Sequence, residues 1–167
     1  MADLSAVYKY IDEHKDEYIA NLHRMLNQPS IAAQGVGMSE MAAMVQKDLD
    51  TLGFEVDQYD TRGGFPVVYG EKSGRSDKSL VFYDHYDVQP ADPLDEWTSD
   101  PWSGEIRDGR IYARGVADNK GNIAARFAAI DAWQKVHGEL PLKLKFIIEG
   151  EEEIGSPHLQ NFIDDNR

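Results

Sequence analysis

The feature that most constrains the fold of this chain is a pair of apolar runs that each end in acidic residues. Residues 80–83 (LVFY) lead into Asp-His-Tyr-Asp, and residues 142–148 (LKLKFII) lead into Glu-Gly-Glu-Glu-Glu. Short runs of this composition predict β-strands. Because ligands of open α/β sheets bind beyond the carboxyl ends of the strands, the sequence predicts a carboxylate-rich site at the sheet edge. One imidazole among several carboxylates suits a divalent metal, with zinc the first choice.

The other predicted elements follow an order that is typical of an α/β protein. Helical spacing of apolar residues predicts helices over residues 5–27, 39–52, 119–137 and 156–164. Extended patterns predict strands over residues 54–59, 66–70, 80–83 and 142–148, with a hairpin over 104–113. We therefore expect a single α/β domain over residues 1–167, with three αβα layers around a mixed, mostly parallel sheet.

Composition narrows the range of partners. The chain has 30 Asp and Glu residues against 17 Lys and Arg, which gives a formal net charge of -13. Nucleic acid and anionic membranes both require a basic surface, so neither is expected as a partner. The chain has no Cys, and its N-terminus lacks the pattern of a signal peptide. With no apolar run near the roughly 20 residues of a membrane span, a cytoplasmic protein is expected.

The first acidic group offers a histidine and a carboxylate at a spacing of two residues. In an extended segment, residues i and i+2 point to the same side, so His85 and Asp87 can face one cavity. An imidazole can bind metal through one nitrogen while a carboxylate orients the ring through the other. Such a pair taken alone is more often an ordinary polar contact.

A second candidate is Asp118, which lies between Gly115 and Gly121 where a helix begins. An Asp at this position is commonly a helix N-cap. It could equally bridge two cations, because paired metals in hydrolases lie roughly 3.5–4 Å apart, a gap that one carboxylate can span.

Four carboxylates in residues 149–153 form the third candidate. We expect Glu149 and Glu151 to be a solvated acidic cap of the strand. Glu152 and Glu153 differ if they face the cavity, because two adjacent anions there need positive charge, which metal ions supply. One of them can then bind the metal while its neighbour acts as general base.

These motifs, in their order and spacing, resemble the M20 family of metallopeptidases across about residues 80–156. The residues that carry the resemblance are His85-Tyr86-Asp87-Val88-Gln89-Pro90, the run from Tyr112 to Gly121, and Glu152-Glu153-Ile154-Gly155-Ser156. The first motif is more similar to the dipeptidase and carnosinase-like branch than to the deacetylase and aminoacylase branches. The resemblance implies a zinc-peptidase-like catalytic domain that hydrolyses small peptides with two divalent ions. Zinc is favoured, and manganese or cobalt would suit the same ligands.

Residue by residue, the resemblance implies the following roles. His85 binds one metal, Asp118 bridges both, and Glu153 binds the second. Glu152 is the general base and acid, and Asp87 orients His85. The family also usually has a cis peptide bond after the bridging Asp, here between Asp118 and Asn119.

Two departures from the family pattern matter. Asp84 stands where the family usually has Gly or Asn, which leaves open a role next to the metal ligands. The family also has a further metal-binding acid, a late His and a lid domain used for dimerisation, and none of these falls within 167 residues. We therefore expect the N-terminal part of a catalytic domain whose full-length parent is a homodimeric dipeptidase, with little activity in the fragment alone. An N-acyl amino acid deacylase and a non-catalytic binding module are the alternatives.

Overall fold

The structure, a computed structural model, describes residues 4–166 and contains five α-helices and six strands in that range. The helices are α1 (Ser5–Glu13), α2 (Lys15–Leu26), α3 (Met38–Thr51), α4 (Lys120–His137) and α5 (Leu159–Asp165). The strands are β1 (Glu55–Tyr59), β2 (Val67–Lys72), β3 (Ser79–His85), β4 (Glu105–Arg107), β5 (Arg110–Tyr112) and β6 (Lys143–Glu149). The helix predicted over residues 5–27 is divided at His14, where the backbone leaves the helical region with φ -111°.

Four strands form the main sheet in the order β1-β2-β6-β3, while β4 and β5 form the predicted hairpin. The sheet is mixed, as expected, but the prediction that it is mostly parallel is wrong. Only β3 and β6 run parallel, and the pairs β1–β2 and β2–β6 are antiparallel. The connection between β1 and β2 is too short for the crossover that parallel neighbours need, and β6 inserts between β2 and β3.

The two faces of this sheet are packed differently. On one face, Val68, Phe146 and Ile148 are buried in the main hydrophobic cluster beneath α3 and α4. The ring of Phe127 in α4 meets Phe146 edge to face at 5.5 Å. Burying such side chains provides the main stabilising free energy of the fold.

The opposite face is covered only in part by the described residues. Phe162 of α5 packs against Tyr59 and Tyr69. Further along the same face, Val81 and Tyr83 of the edge strand β3 remain 50% and 48% exposed. The helices therefore lie on both faces of the sheet, as the αβα prediction requires, but the third layer is thin. Every helix within residues 4–166 is too short or too polar to cross a bilayer.

Candidate metal centre

The candidate site lies where the carboxyl ends of β3 and β6 meet. These neighbours are parallel, and their register places His85 opposite Glu149. The pairing continues past the strands, because the Tyr86 N–H donates to the Glu149 carbonyl at 2.8 Å. The segments that follow the two strands therefore leave the sheet side by side, which brings two of the three acidic motifs together.

His85 is buried between carboxylates on both sides of its ring. Its Nε2 lies 2.9 Å from an Asp118 carboxylate oxygen and 3.8 Å from one of Glu152. Its Nδ1 lies 3.3 Å from an Asp87 carboxylate oxygen. Asp87 thus contacts the Nδ1 side of the ring, and Nε2 faces Asp118 and Glu152.

The charge state of His85 follows from these neighbours. Burial lowers the pKa of the imidazole, but the hydrogen bond and negative charge of Asp87, with Asp118 and Glu152 adding to them, raise it to about 9. The metal-free ring is therefore protonated at neutral pH. A metal ligand must be a neutral imidazole, so binding of a cation at Nε2 would release a proton.

Asp87 organises more of the site than the sequence indicated. Its buried carboxylate accepts the backbone N–H of Glu152 at 3.2 Å and that of Glu153 at 3.0 Å. These two residues begin the short 3₁₀ turn Glu152–Ile154. One carboxylate thus fixes both the imidazole and the glutamate turn, and it does so with charge-assisted hydrogen bonds.

The structure brings most of the predicted site residues within reach of one ion. His85, Glu152 and Glu153 each offer one ligand atom, and these atoms lie within 4.8 Å of one another. Asp118 contacts His85 but lies outside that group of three. The Glu153 carboxylate accepts a hydrogen bond from Gln89 Nε2 at 2.8 Å. One buried imidazole, one exposed carboxylate and one partly buried carboxylate are a donor set that fits a divalent cation.

The prediction that Glu149 and Glu151 form a solvated cap is wrong. Their exposed fractions are 2% and 4%, because the chain turns sharply at Gly150 and points both side chains into the protein. Gly150 is required there, since a Cβ would overlap the Tyr86 hydroxyl.

Each buried glutamate has its own partners. Glu149 accepts hydrogen bonds from the Tyr83 hydroxyl and from Ser156 Oγ, and burial raises the pKa of its carboxyl. Glu151 pairs with His158 Nδ1 at 3.0 Å. This role of His158 is not evident from the sequence, because nothing in the spacing of residues 151 and 158 indicates a contact.

Asp84 faces away from the candidate site. Successive residues of a strand point to opposite faces, so Asp84 points to the core side of β3 while His85 points to the site. Its buried carboxylate forms an ion pair with Arg126 of α4. Asp84 therefore does not lie beside the candidate metal ligands, and its position does not support a role next to them.

Asp118 is carried by the tight turn that leads into α4. The peptide bond between Asp118 and Asn119 is cis, which confirms the prediction for this bond. The turn is closed by a hydrogen bond from the Lys120 N–H to the Gly115 carbonyl at 3.0 Å. Gly121 packs so closely on Val116 that a Cβ would overlap its carbonyl oxygen.

Lys120 itself is fully buried, and burial lowers the pKa of its ammonium to about 7. The sequence left its role open, because Lys120 fits both a helix start and a metal site.

Comparison with known proteins agrees with this geometry. The family model for peptidase family M20/M25/M40 matches residues 81–166. The human Beta-Ala-His dipeptidase is 35% identical over 177 aligned residues, which cover 96% of this chain and 35% of that protein. The crystal structure of human carnosine dipeptidase 1 superposes with a TM-score of 0.91 at 35% identity, covering 98% of this chain and 38% of the other.

A third relative is also known from its crystal structure. The M20 family metallo-carboxypeptidase Sso-CP2 of Sulfolobus solfataricus has a TM-score of 0.84 at 42% identity, covering 90% of this chain and 34% of its own. The chain belongs to peptidase family M20/M25/M40. It spans about a third of the length of the curated relatives that it matches.

Proposed function

We propose that this chain supplies part of the catalytic centre of a metal-dependent dipeptidase. The observation that carries the proposal is the convergence of His85, Glu152 and Glu153 at the end of two parallel strands. The dipeptidase names of several relatives support a dipeptide as the substrate. Because those relatives are much longer, the activity belongs to a longer protein that carries this segment.

Three residues would hold the metal in this proposal. His85 would hold one ion through Nε2, Glu153 would hold a second ion, and Asp118 would bridge the two. Zinc is the favoured metal, and manganese or cobalt suits the same donors. When bound, a divalent ion polarises the substrate carbonyl and makes water more acidic.

Glu152 is the proposed general base. Its side chain is 42% exposed and has an oxygen 3.8 Å from His85 Nε2, so it borders the ligands and remains open to substrate. It takes a proton from the water that attacks the peptide carbonyl carbon. It then gives that proton to the amine nitrogen as the C–N bond breaks.

Asp87 is the proposed orienting residue for this chemistry. It keeps the His85 ring fixed through Nδ1 and holds the backbone of Glu152 and Glu153. Positioning of this kind lowers the entropy lost when the reacting groups come together.

The chain by itself offers each proposed ion only two ligands, whereas a catalytic zinc has about three protein ligands. We therefore expect weak metal binding and little hydrolysis from the 167 residues alone. The lid domain, the homodimer and the cytoplasmic location stay predictions for the longer protein. An N-acyl amino acid deacylase and a non-catalytic binding module remain the alternatives.

The test is Glu152→Ala in a full-length protein that carries this segment. Loss of a general base is expected to lower the rate of dipeptide hydrolysis by about 10²–10⁴-fold while the zinc content stays unchanged. The exposed helix residue Glu40 provides the matched control, Glu40→Ala. Assays with β-alanyl-histidine and with an N-acetyl amino acid run in parallel. Hydrolysis of only the second substrate would favour the deacylase, and hydrolysis of neither would favour the binding module.

A further inference from the structure

Lys120 is a buried cation whose contacts the hydrolytic mechanism leaves unused. Its side chain is fully enclosed, and its ammonium donates to the Gln28 carbonyl at 2.6 Å and to the Met25 carbonyl at 3.1 Å. Within residues 4–166, no carboxylate lies within ion-pair distance of it. Burying an ammonium without a counter-charge is costly, and burial lowers its pKa to about 7, so the two carbonyls are the groups that hold it in place.

The two acceptors lie at the C-terminal end of α2. The last carbonyls of a helix have no partner within the helix, and they carry the negative end of its dipole. The Met25 carbonyl is one of these groups, and the Gln28 carbonyl lies just beyond the helix. An ammonium is therefore a favourable partner for both, and it joins the end of α2 to the start of α4.

The same residue also closes the turn that carries Asp118. Lys120 lies two residues after Asp118, and its backbone N–H donates to the Gly115 carbonyl at 3.0 Å. The turn leaves little space around the lysine stem, because a Cβ on Gly115 would lie 2.5 Å from Val88 Cγ1 and 3.5 Å from Lys120 Cδ. Lys120 thus fixes the turn from its own backbone and fastens it to α2 through its side chain.

Asp118 depends on this support more than the other proposed ligands do. Its side chain is 70% exposed and contacts His85 through one carboxylate oxygen. The carboxylate of Glu153, by contrast, accepts a hydrogen bond from Gln89, and the backbone N–H of Glu153 donates to the Asp87 carboxylate. The backbone of the turn therefore determines where the Asp118 carboxylate lies.

We propose that Lys120 is a positioning residue for the metal centre, whose ammonium fastens the Asp118 turn to the C-terminal end of α2. This inference rests on the proposed function, because the role of Asp118 as a ligand belongs to it. Loss of residues that orient metal ligands typically costs about 10–100-fold in metal affinity, and a loss of that size is expected here.

The absence of Cys from the sequence permits a sharp test. In the variant Lys120→Cys, alkylation of the unfolded chain with bromoethylamine and refolding restores an ammonium on a stem of lysine length. Alkylation with 1-bromopropane gives a neutral stem of the same length as the matched control. Lys47→Met removes an exposed helix lysine and controls for the loss of one positive charge.

Two readouts are measured on each form of this 167-residue chain. One is zinc affinity, by calorimetry at protein concentrations high enough for the weak binding expected of it, and the other is amide hydrogen exchange over residues 115–123. The neutral stem should lower zinc affinity by about 10–100-fold and speed exchange in the turn, and the aminoethylated form should recover both. If amide hydrogen exchange over residues 115–123 is unchanged in the propylated form, the Lys120 ammonium does not fasten the turn to α2. If exchange is faster in the propylated form but its zinc affinity is unchanged, Lys120 does not position Asp118 for the metal.

The variant His85→Ala separates this inference from the proposed function. If it leaves zinc affinity unchanged, zinc binds elsewhere, the proposed metal centre fails and the role of Lys120 in it fails as well. If it abolishes zinc binding, the metal centre stands, and the neutral-stem result alone decides the role of Lys120.

Discussion

The acidic segment after β6 contains two pairs of glutamates with opposite environments. Glu149 and Glu151 are buried, and each has a neutralising or hydrogen-bonding partner. Glu152 and Glu153 lie nearer the surface and direct carboxylate oxygens toward His85. The four glutamates of residues 149–153 thus divide into two that support the fold and two whose carboxylates stay open to a cation.

In this comparison, burial and hydrogen bonding, rather than residue type, separate acids that support the fold from acids that stay open to a ligand. A buried carboxylate must have its hydrogen bonds satisfied within the protein. A ligand or base must instead keep an oxygen free for the cation or the substrate. In this segment, the division falls between Glu151 and Glu152, where the 3₁₀ turn begins.

The largest effect is expected from Asp87→Ala, because Asp87 holds the exposed pair in place. The variant removes a buried carboxylate from His85 and from two backbone N–H groups. Breaking a buried charged network of this kind costs about 3–5 kcal/mol in the free energy of unfolding. Urea denaturation measures this cost, with Asp50→Ala on the exposed side of α3 as control. A cost as small as that of the control would show that Asp87 does not organise the turn.

The next largest effects are expected from Glu149→Ala and Glu151→Ala. Each variant removes a buried acceptor from partly buried donors, which costs about 1–3 kcal/mol in unfolding free energy. The donors are the Tyr83 and Ser156 hydroxyls in the first case and His158 in the second. Thermal and urea unfolding provide the measurement. Wild-type stability in both variants would contradict the structural assignment of this pair.

A smaller effect is expected from Gly64→Ala. A Cβ at this position would lie 2.6 Å from both a Glu151 oxygen and His158 Nδ1, so the pair must shift. Such overpacking costs about 1–3 kcal/mol, and the lower end is expected because both neighbours are side chains. In a His158→Ala background, the cost should fall, which a double-mutant cycle in urea detects. Strict additivity of the two changes would contradict the contact.

The smallest effect on stability is expected from Glu152→Gln and Glu153→Gln. Exposed substitutions usually change the free energy of unfolding by no more than about 0.5 kcal/mol. In the presence of a chelator, both variants should match or slightly exceed the wild type, because each relieves repulsion among the carboxylates. Added zinc should raise the melting temperature of the wild type more than that of Glu153→Gln. An equal rise in both would argue against Glu153 as a ligand.

The sequence predicted much of the scaffold because its patterns are local. The apolar spacing of Ile123, Phe127 and Ile130 gives the buried face of α4, and these three side chains are buried. The ends of β3 and β6 were predicted to share an edge, and they do. The alternation of side chains along a strand also predicts that Asp84 and His85 point to opposite faces, so Asp84 points away from the site.

The rest depends on contacts between distant parts of the chain. The antiparallel pairs of the sheet arise because β6 inserts between β2 and β3, which no local pattern indicates. Lys120 meets carbonyls that lie 92 and 95 residues away in sequence. The burial of Glu149 and Glu151 follows from a turn whose shape depends on packing against Tyr86.

The convergence of residues 85, 118 and 153 on one cationic centre is tested most directly by diffraction from crystals grown with zinc. An anomalous difference map is expected to place an ion about 2.0–2.1 Å from His85 Nε2, with Asp118 as a second ligand and Glu153 within reach of the same centre. Zinc bound only at other acidic surfaces, with His85 still paired to Asp118 and free of metal, would contradict it.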